Sequence, residues 1–270
     1  MRDFVYRGSD GCNLHATALG QGPVLILLDS GGPGRLLPLA RNLAGGFTVI
    51  LPDIHGYGRS VCADPERHIW AQHTEDVGTL LDHLGLRRAA LGGTGLGGTI
   101  TLRAAATLPD RIRAAIVISM EDIEGDAAEE AAETEMLEDF TARVRELGVH
   151  AAWDLPLSAP IISSLVREVL PVSGTASIAA SCAFGRDQAF TQVHELAAIT
   201  VPTLVIPGAD TRHPAAVAAQ TARILPHGHL SDVSVSADLD TAAALAPTIW
   251  DFLTTHLTLY SAGPGRPGTR

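Results

Sequence analysis

The sequence contains no lysine: all 19 of its basic residues are arginine. That excludes Schiff-base chemistry, a pyridoxal-phosphate lysine and the lysine of a phosphate-binding P-loop. Cysteine is scarce as well. Cys12, Cys62 and Cys182 are an odd number of scattered thiols without metal-ligand spacing, so no disulfide framework, no metal site and no cofactor are expected. Basic residues are outnumbered by 30 acidic ones, for a formal net charge of -11, which leaves no electrostatic footprint for nucleic acid or an anionic membrane. No apolar run approaches the ~20 residues that cross a bilayer. Met1-Arg2-Asp3-Phe4 does not open a signal peptide, so a cytoplasmic protein is expected. The expected partner is a small, largely apolar molecule, with homodimer formation left open.

What is present is apolar and periodic. With 46% hydrophobic residues over 270 positions, the chain can bury a full core. Phe4 to Tyr6 and Asn13 to Leu19, around a Ser9-Asp10-Gly11 turn, predict an entry hairpin. Pro23 to Asp29 and Phe47 to Ile54 are continuous apolar runs of strand length, as in strands buried on both faces of a parallel sheet. Helices are predicted over Leu36 to Leu43, Ile69 to Leu84 (stopped by Gly85) and Leu96 to Leu108, and a strand over Ala114 to Ser119. Strand and helix alternating in this order predict a doubly wound, mostly parallel α/β fold.

At Met120 the composition changes. Carboxylates from Glu121 to Glu146 are spaced with Ala and Leu and predict a solvated helix face rather than a metal site. Further helices are predicted at Ile161 to Val172, Thr175 to Phe184 and Gln188 to Ile199. The strand pattern then resumes at Pro202 to Pro207, and is followed by a helix Ala215 to Leu225, a strand near Val233 to Ser236 and a helix Thr241 to His256. This divides the chain into a core of residues 1–120 and 200–260, a helical cap of residues 121–199, and a Gly/Pro-rich tail of residues 261–270 expected to be mobile. Apolar cap residues such as Trp153, Leu155 and Ile161 are candidates to roof a pocket over the strand ends.

Several segments in this order carry a family resemblance. Gly93-Thr94-Gly95-Leu96-Gly97, between a predicted strand and helix, has the frame of the G-x-S-x-G nucleophile elbow. Asp29-Ser30-Gly31-Gly32-Pro33-Gly34 resembles the HGGPG turn, and Asp53-Ile54-His55-Gly56-Tyr57-Gly58-Arg59-Ser60 resembles the D-x-R-G-x-G-x-S turn, of α/β-hydrolases of the proline-iminopeptidase type. Val201 to Asp210 is similar to their strand that presents the triad acid. The resemblance implies a capped α/β-hydrolase fold.

It also implies a dismantled catalytic triad. The nucleophile position is Gly95, which has no side chain with which to form an acyl-enzyme, and the segment Ser234 to Asp240, where the histidine belongs, has none. Asp210 stands for the acid. The backbone N–H of Leu96 and one from Ser30 or Gly31 are expected to form an oxyanion hole. His213 and His55 are the candidate proton carriers, and Glu121 an alternative carboxylate after the preceding strand. The leading expectation is cofactor-independent lyase, isomerase or cyclase chemistry on a small apolar carbonyl compound, as in natural-product biosynthesis. A non-catalytic ligand-binding protein and a hydrolase using directly activated water are the alternatives.

Overall fold

The computed structural model describes residues 1–29, 33–120, 123, 127–149, 174–209, 213–235 and 242–257. The strands are β1 (Arg2–Arg7), β2 (Asn13–Leu19), β3 (Val24–Asp29), β4 (Thr48–Pro52), β5 (Ala89–Thr94), β6 (Ile112–Ile118), β7 (Thr203–Ile206) and β8 (Gly228–Leu230). They form one 8-stranded sheet in the order β1-β2-β4-β3-β5-β6-β7-β8. β2 runs antiparallel to both its neighbours and every other pair is parallel. The helices are α1 (Pro33–Leu43), α2 (Trp70–His83), α3 (Leu96–Thr107), α4 (Ala127–Leu147), α5 (Thr175–Ser181), α6 (Ala215–Ile224) and α7 (Ala246–Leu257).

Side chains on the central strands alternate between two cores. Ile26, Leu28, Leu91, Ala115, Val117 and Val205 point to one face, where α2, α3 and α6 bury Leu80, Leu81, Ile100 and Ala218. Leu25, Leu27, Ala90, Ile116, Ile118, Leu204 and Ile206 point to the other, against Leu36, Leu39 and Leu43 of α1 and Ile249 and Leu253 of α7. Both faces are covered, so the strands read as unbroken apolar runs. Each fully buried leucine contributes about 2 kcal/mol on an area basis. The α/β architecture expected from the sequence is thus present.

Elements end where the sequence signals it, with exceptions. Gly85, at φ +65°, closes α2, and the Leu86 N–H reaches Leu81 O at 2.9 Å in a Schellman-type cap. The last strand departs from expectation: it lies at Gly228–Leu230, and Val235 makes only an isolated bridge to Gly208. The expected helix Gln188 to Ile199 is instead a short 3-10 helix, Val193–Ala198. There the Glu195 carboxylate gathers the N–H groups of Thr191 and Gln192, which caps the start of this 3-10 segment. The closing helix is also split. A 3-10 turn, Ala242–Leu245, precedes α7, because Pro247 in its first turn has no N–H to donate backwards.

In the insertion, α4 packs on α5 around a small separate core of Val144, Val149, Ile178 and Ala179. Ala189, Phe190, Leu196 and Ile199, which fall in the cap expected from the sequence, pack into the main core instead. The expected helix Ile161 to Val172, the roofing residues Trp153, Leu155 and Ile161, and the tail 261–270 lie outside the described residues. No helix among the described residues is long and apolar enough to cross a membrane.

Candidate active site

The carboxyl ends of β3, β5, β6 and β7 lie side by side, where open parallel sheets place their ligands. β5 leads through one residue, Gly95, into α3. The turn is this sharp because its flanking positions carry no side chain. A Cβ on Gly97 would stand 2.3 Å from Leu28 O on β3, and one on Gly93 would stand 2.3 Å from the Gly97 carbonyl carbon. Gly95 differs. It is held at φ +51°, ψ -123°, and a Cβ built there meets nothing within 4 Å among the described residues. The elbow therefore keeps its backbone conformation, and its central residue points into space that no described residue fills. Leu96 follows as the first residue of α3, whose leading N–H groups have no partner within the helix.

Beside the elbow, β6 ends in Ser119, the only non-glycine residue at positive φ among those described, at +49°. Its side chain is buried, and its Oγ has no hydrogen-bond partner among the described residues. Beyond β7, a Cβ on Gly208 would meet His213 Cβ at 2.4 Å and Ser119 Oγ at 3.1 Å. His213 and the Ser119 hydroxyl thus flank one backbone position at the ends of neighbouring strands. Sequence reasoning does not find Ser119. Its signal is conformational strain, which tends to gather at functional sites and which an ordinary serine at a strand end does not advertise. Of the other candidates, Ser30, Gly31, Glu121, Trp153 and Asp210 lie outside the described residues.

His55 is placed differently from His213. Its side chain has no exposed surface, and its Nδ1–H donates to Asp76 Oδ2 at 3.0 Å. Asp76 Oδ1 in turn accepts from Gln72 at 2.9 Å and from the Ser9 N–H at 3.2 Å. Burial alone would lower the pKa of His55, but the Asp76 carboxylate, joined by Cys62, outweighs it and raises the value to about 9. The neighbouring rings go the other way. Burial lowers His68, and it carries His73 down to about 3, helped by the nearby His68 and His55. A proton carrier for substrate needs access to it, so this paired, enclosed ring corrects the expectation of His55 as acid or base. The expectation of scattered thiols also needs correction, because Cys12 and Cys62 converge on His55.

The loop after β4 is locked by one arginine. Arg59 Nε reaches Asp53 Oδ2 at 2.8 Å and Nη2 reaches Oδ1 at 3.2 Å, while the Arg59 N–H also donates to Oδ2 at 2.8 Å. Asp53 is 1% exposed. Arg59→Met leaves that carboxylate buried without its counter-charge, for an expected loss of about 3 kcal/mol in urea unfolding. A loss below about 1 kcal/mol would show that the backbone N–H alone satisfies Asp53.

The sheet order and the strand-glycine-helix turn define an α/β-hydrolase fold. The sequence profile of the α/β-hydrolase fold family matches residues 23–152. A 2-hydroxy-6-oxo-6-phenylhexa-2,4-dienoate hydrolase of Burkholderia cepacia is 34% identical over 113 residues, 39% of this chain and 39% of that protein. The match thus spans about two fifths of that relative's length. Among solved structures, the enol-lactonase of Burkholderia xenovorans LB400 superposes with a TM-score of 0.74 at 24% identity, over 93% of this chain and 100% of that one. A bottromycin epimerase bound to bottromycin A2 superposes with a TM-score of 0.73 at 19% identity, over 95% of this chain and 100% of that one. Identities this low speak for the fold.

Proposed function

We propose that this α/β-hydrolase-fold protein is an enzyme without a Ser-His-Asp triad, which moves protons on a small, largely apolar carbonyl compound in lyase, isomerase or cyclase chemistry and needs no cofactor. The observation that carries this reading is Gly95: the elbow's backbone is intact while no described residue fills the space of the nucleophile, which leaves it to a substrate atom. In this reading the Leu96 N–H, with one from Ser30 or Gly31, holds the carbonyl oxygen and stabilises the enolate formed when a neighbouring proton leaves. His213 takes the proton and returns it, oriented by Asp210, and the Ser119 hydroxyl beside it binds a polar atom of the substrate. One of the structural neighbours is named as an epimerase, which supports a reaction other than hydrolysis on this fold. A second reading has its own support. The names of the dienoate hydrolase and the enol-lactonase favour a hydrolase that uses water activated directly by His213 or Asp210.

The two separate in deuterated water. A panel of dienoates, enol-lactones and α-chiral carbonyl compounds, incubated with the protein, is expected to yield a compound that gains deuterium beside the carbonyl with no net hydrolysis. Gly95→Ser is expected to fold and yet remain unlabelled by a fluorophosphonate, because the chain from residue 231 to 241 holds no histidine in the triad position and His213 is assigned to the substrate's proton rather than to residue 95. Labelling of that variant, or an acyl-enzyme burst with an activated ester, would defeat the triad-less reading. Ester turnover by the unaltered protein without a burst would transfer the conclusion to activated water.

A further inference from the structure

Four side chains outside this crevice meet beside the edge hairpin. Asp10, Cys12, His55 and Cys62 each offer one ligand atom, and these atoms all lie within 4.8 Å of one another. The chain hides the grouping, because the residues come in two pairs on different loops. Antiparallel pairing of β2 with β4 joins them: Ala16 lies opposite Pro52, and the same register carried onward sets Asn13 opposite His55. The turn before β2 therefore abuts the loop after β4.

We propose that Asp10 Oδ2, Cys12 Sγ, His55 Nε2 and Cys62 Sγ form a four-coordinate site for a divalent, thiolate-preferring cation of the zinc class. Three observations support it. First, the His55 ring is oriented as a ligand: Nδ1 is committed to Asp76, so Nε2 is the nitrogen left to bind a cation, which displaces its proton. That nitrogen is buried, has no hydrogen-bond partner among the described residues, and lies 3.7 Å from Asp10 Oδ2. A carboxylate behind a ligating imidazole is the usual outer-shell arrangement at such metals. Second, Asp10 is pre-set. Its Oδ1 accepts the Cys12 N–H at 2.9 Å, which leaves Oδ2 toward His55, and its side chain is 2% exposed. Third, two sulfurs with one imidazole and one carboxylate suit zinc, whereas magnesium and calcium call for oxygen shells. Bonds of 2.0 to 2.3 Å in a tetrahedron give ligand-to-ligand edges of about 3.3 to 3.8 Å, so closure from 4.8 Å needs roughly 1 Å of side-chain motion.

Four protein ligands close the shell, so the metal's role is structural. It clips the hairpin to the loop that also anchors the insertion. Ser177 of α5 accepts the Cys62 N–H at 2.8 Å, and its Oγ lies 2.8 Å from Gly56 O. The site does not depend on the crevice chemistry, and its test does not read activity.

The test is metal content of the whole protein, loaded with zinc sulfate and dialysed against a weak chelator. About one zinc per chain is expected, with loss in Cys12→Ser and Cys62→Ser and retention in Cys182→Ser, whose thiol lies elsewhere. Cobalt chloride should give the charge-transfer and visible bands of tetrahedral thiolate coordination. Asp76→Asn, which keeps all four ligands, should weaken zinc binding about 10- to 100-fold and keeps the test open if the cysteine variants fail to fold. Zinc no higher than in Cys12→Ser, unchanged affinity in Asp76→Asn, or a Cys12–Cys62 disulfide in the mass spectrum of the freshly isolated protein would each overturn the assignment.

Discussion

His213→Gln is expected to slow proton exchange on the substrate by 10²- to 10⁴-fold, the usual loss when a general acid or base is removed. Glutamine keeps hydrogen-bonding capacity and comparable bulk but cannot cycle a proton near neutral pH, so the comparison isolates proton transfer from shape. His213 is held by its neighbours: its Cβ abuts Gly208, and Pro214 follows as the cap of α6. The variant should therefore fold like the parent. Ser119→Ala, assigned to substrate binding, should raise KM while changing kcat less than about tenfold, a split that a merely structural serine would not produce. If His213→Gln exchanges protons within threefold of the parent, the carrier is another group and the assignment fails.

Gly97→Ala is expected to lower stability by about 3 kcal/mol or more, at or above the upper end of overpacking costs. The new Cβ would sit 2.3 Å from Leu28 O and 2.6 Å from Leu28 C, both backbone atoms of β3 at the centre of the sheet. No rotamer relieves the clash, so the strand or the helix must move. Gly95→Ala is the control, two residues away. It meets no atom among the described residues and bears only the backbone strain of φ +51°, about 1 to 3 kcal/mol. Urea midpoints of the two variants should therefore rank Gly97→Ala below Gly95→Ala. The reverse order would mean that conformational strain at the elbow outweighs the close approach of α3 to β3.

Much of this architecture is legible in the amino-acid order. β3 and β4 read as strands because both their faces are covered, and unbroken apolar runs of that length suit a buried parallel sheet. The stop of α2 is legible because Gly85 carries the positive φ that ends a helix. The elbow is legible because glycines at positions 93 and 97 are a packing requirement that leaves its mark in composition. Illegible features are those set by partners distant in the chain. β8 pairs with β7 at Gly228–Leu230, a polar stretch that no strand pattern announces. The segment 188–199 resembles a helix in its apolar spacing, yet it forms only a 3-10 helix, Val193–Ala198, capped by Glu195.

Local pattern and residue type suffice for the α/β class, the strand-glycine-helix turn and the glycine at position 95, so the linear chain carries all three. The strained Ser119 beside His213 is a product of folding. So are the pairing of buried His55 with Asp76 and the meeting of Asp10 and Cys12 with Cys62. These depend on the pairing of strands far apart in the chain: their register sets which loop ends meet, and a linear order contains no such distance.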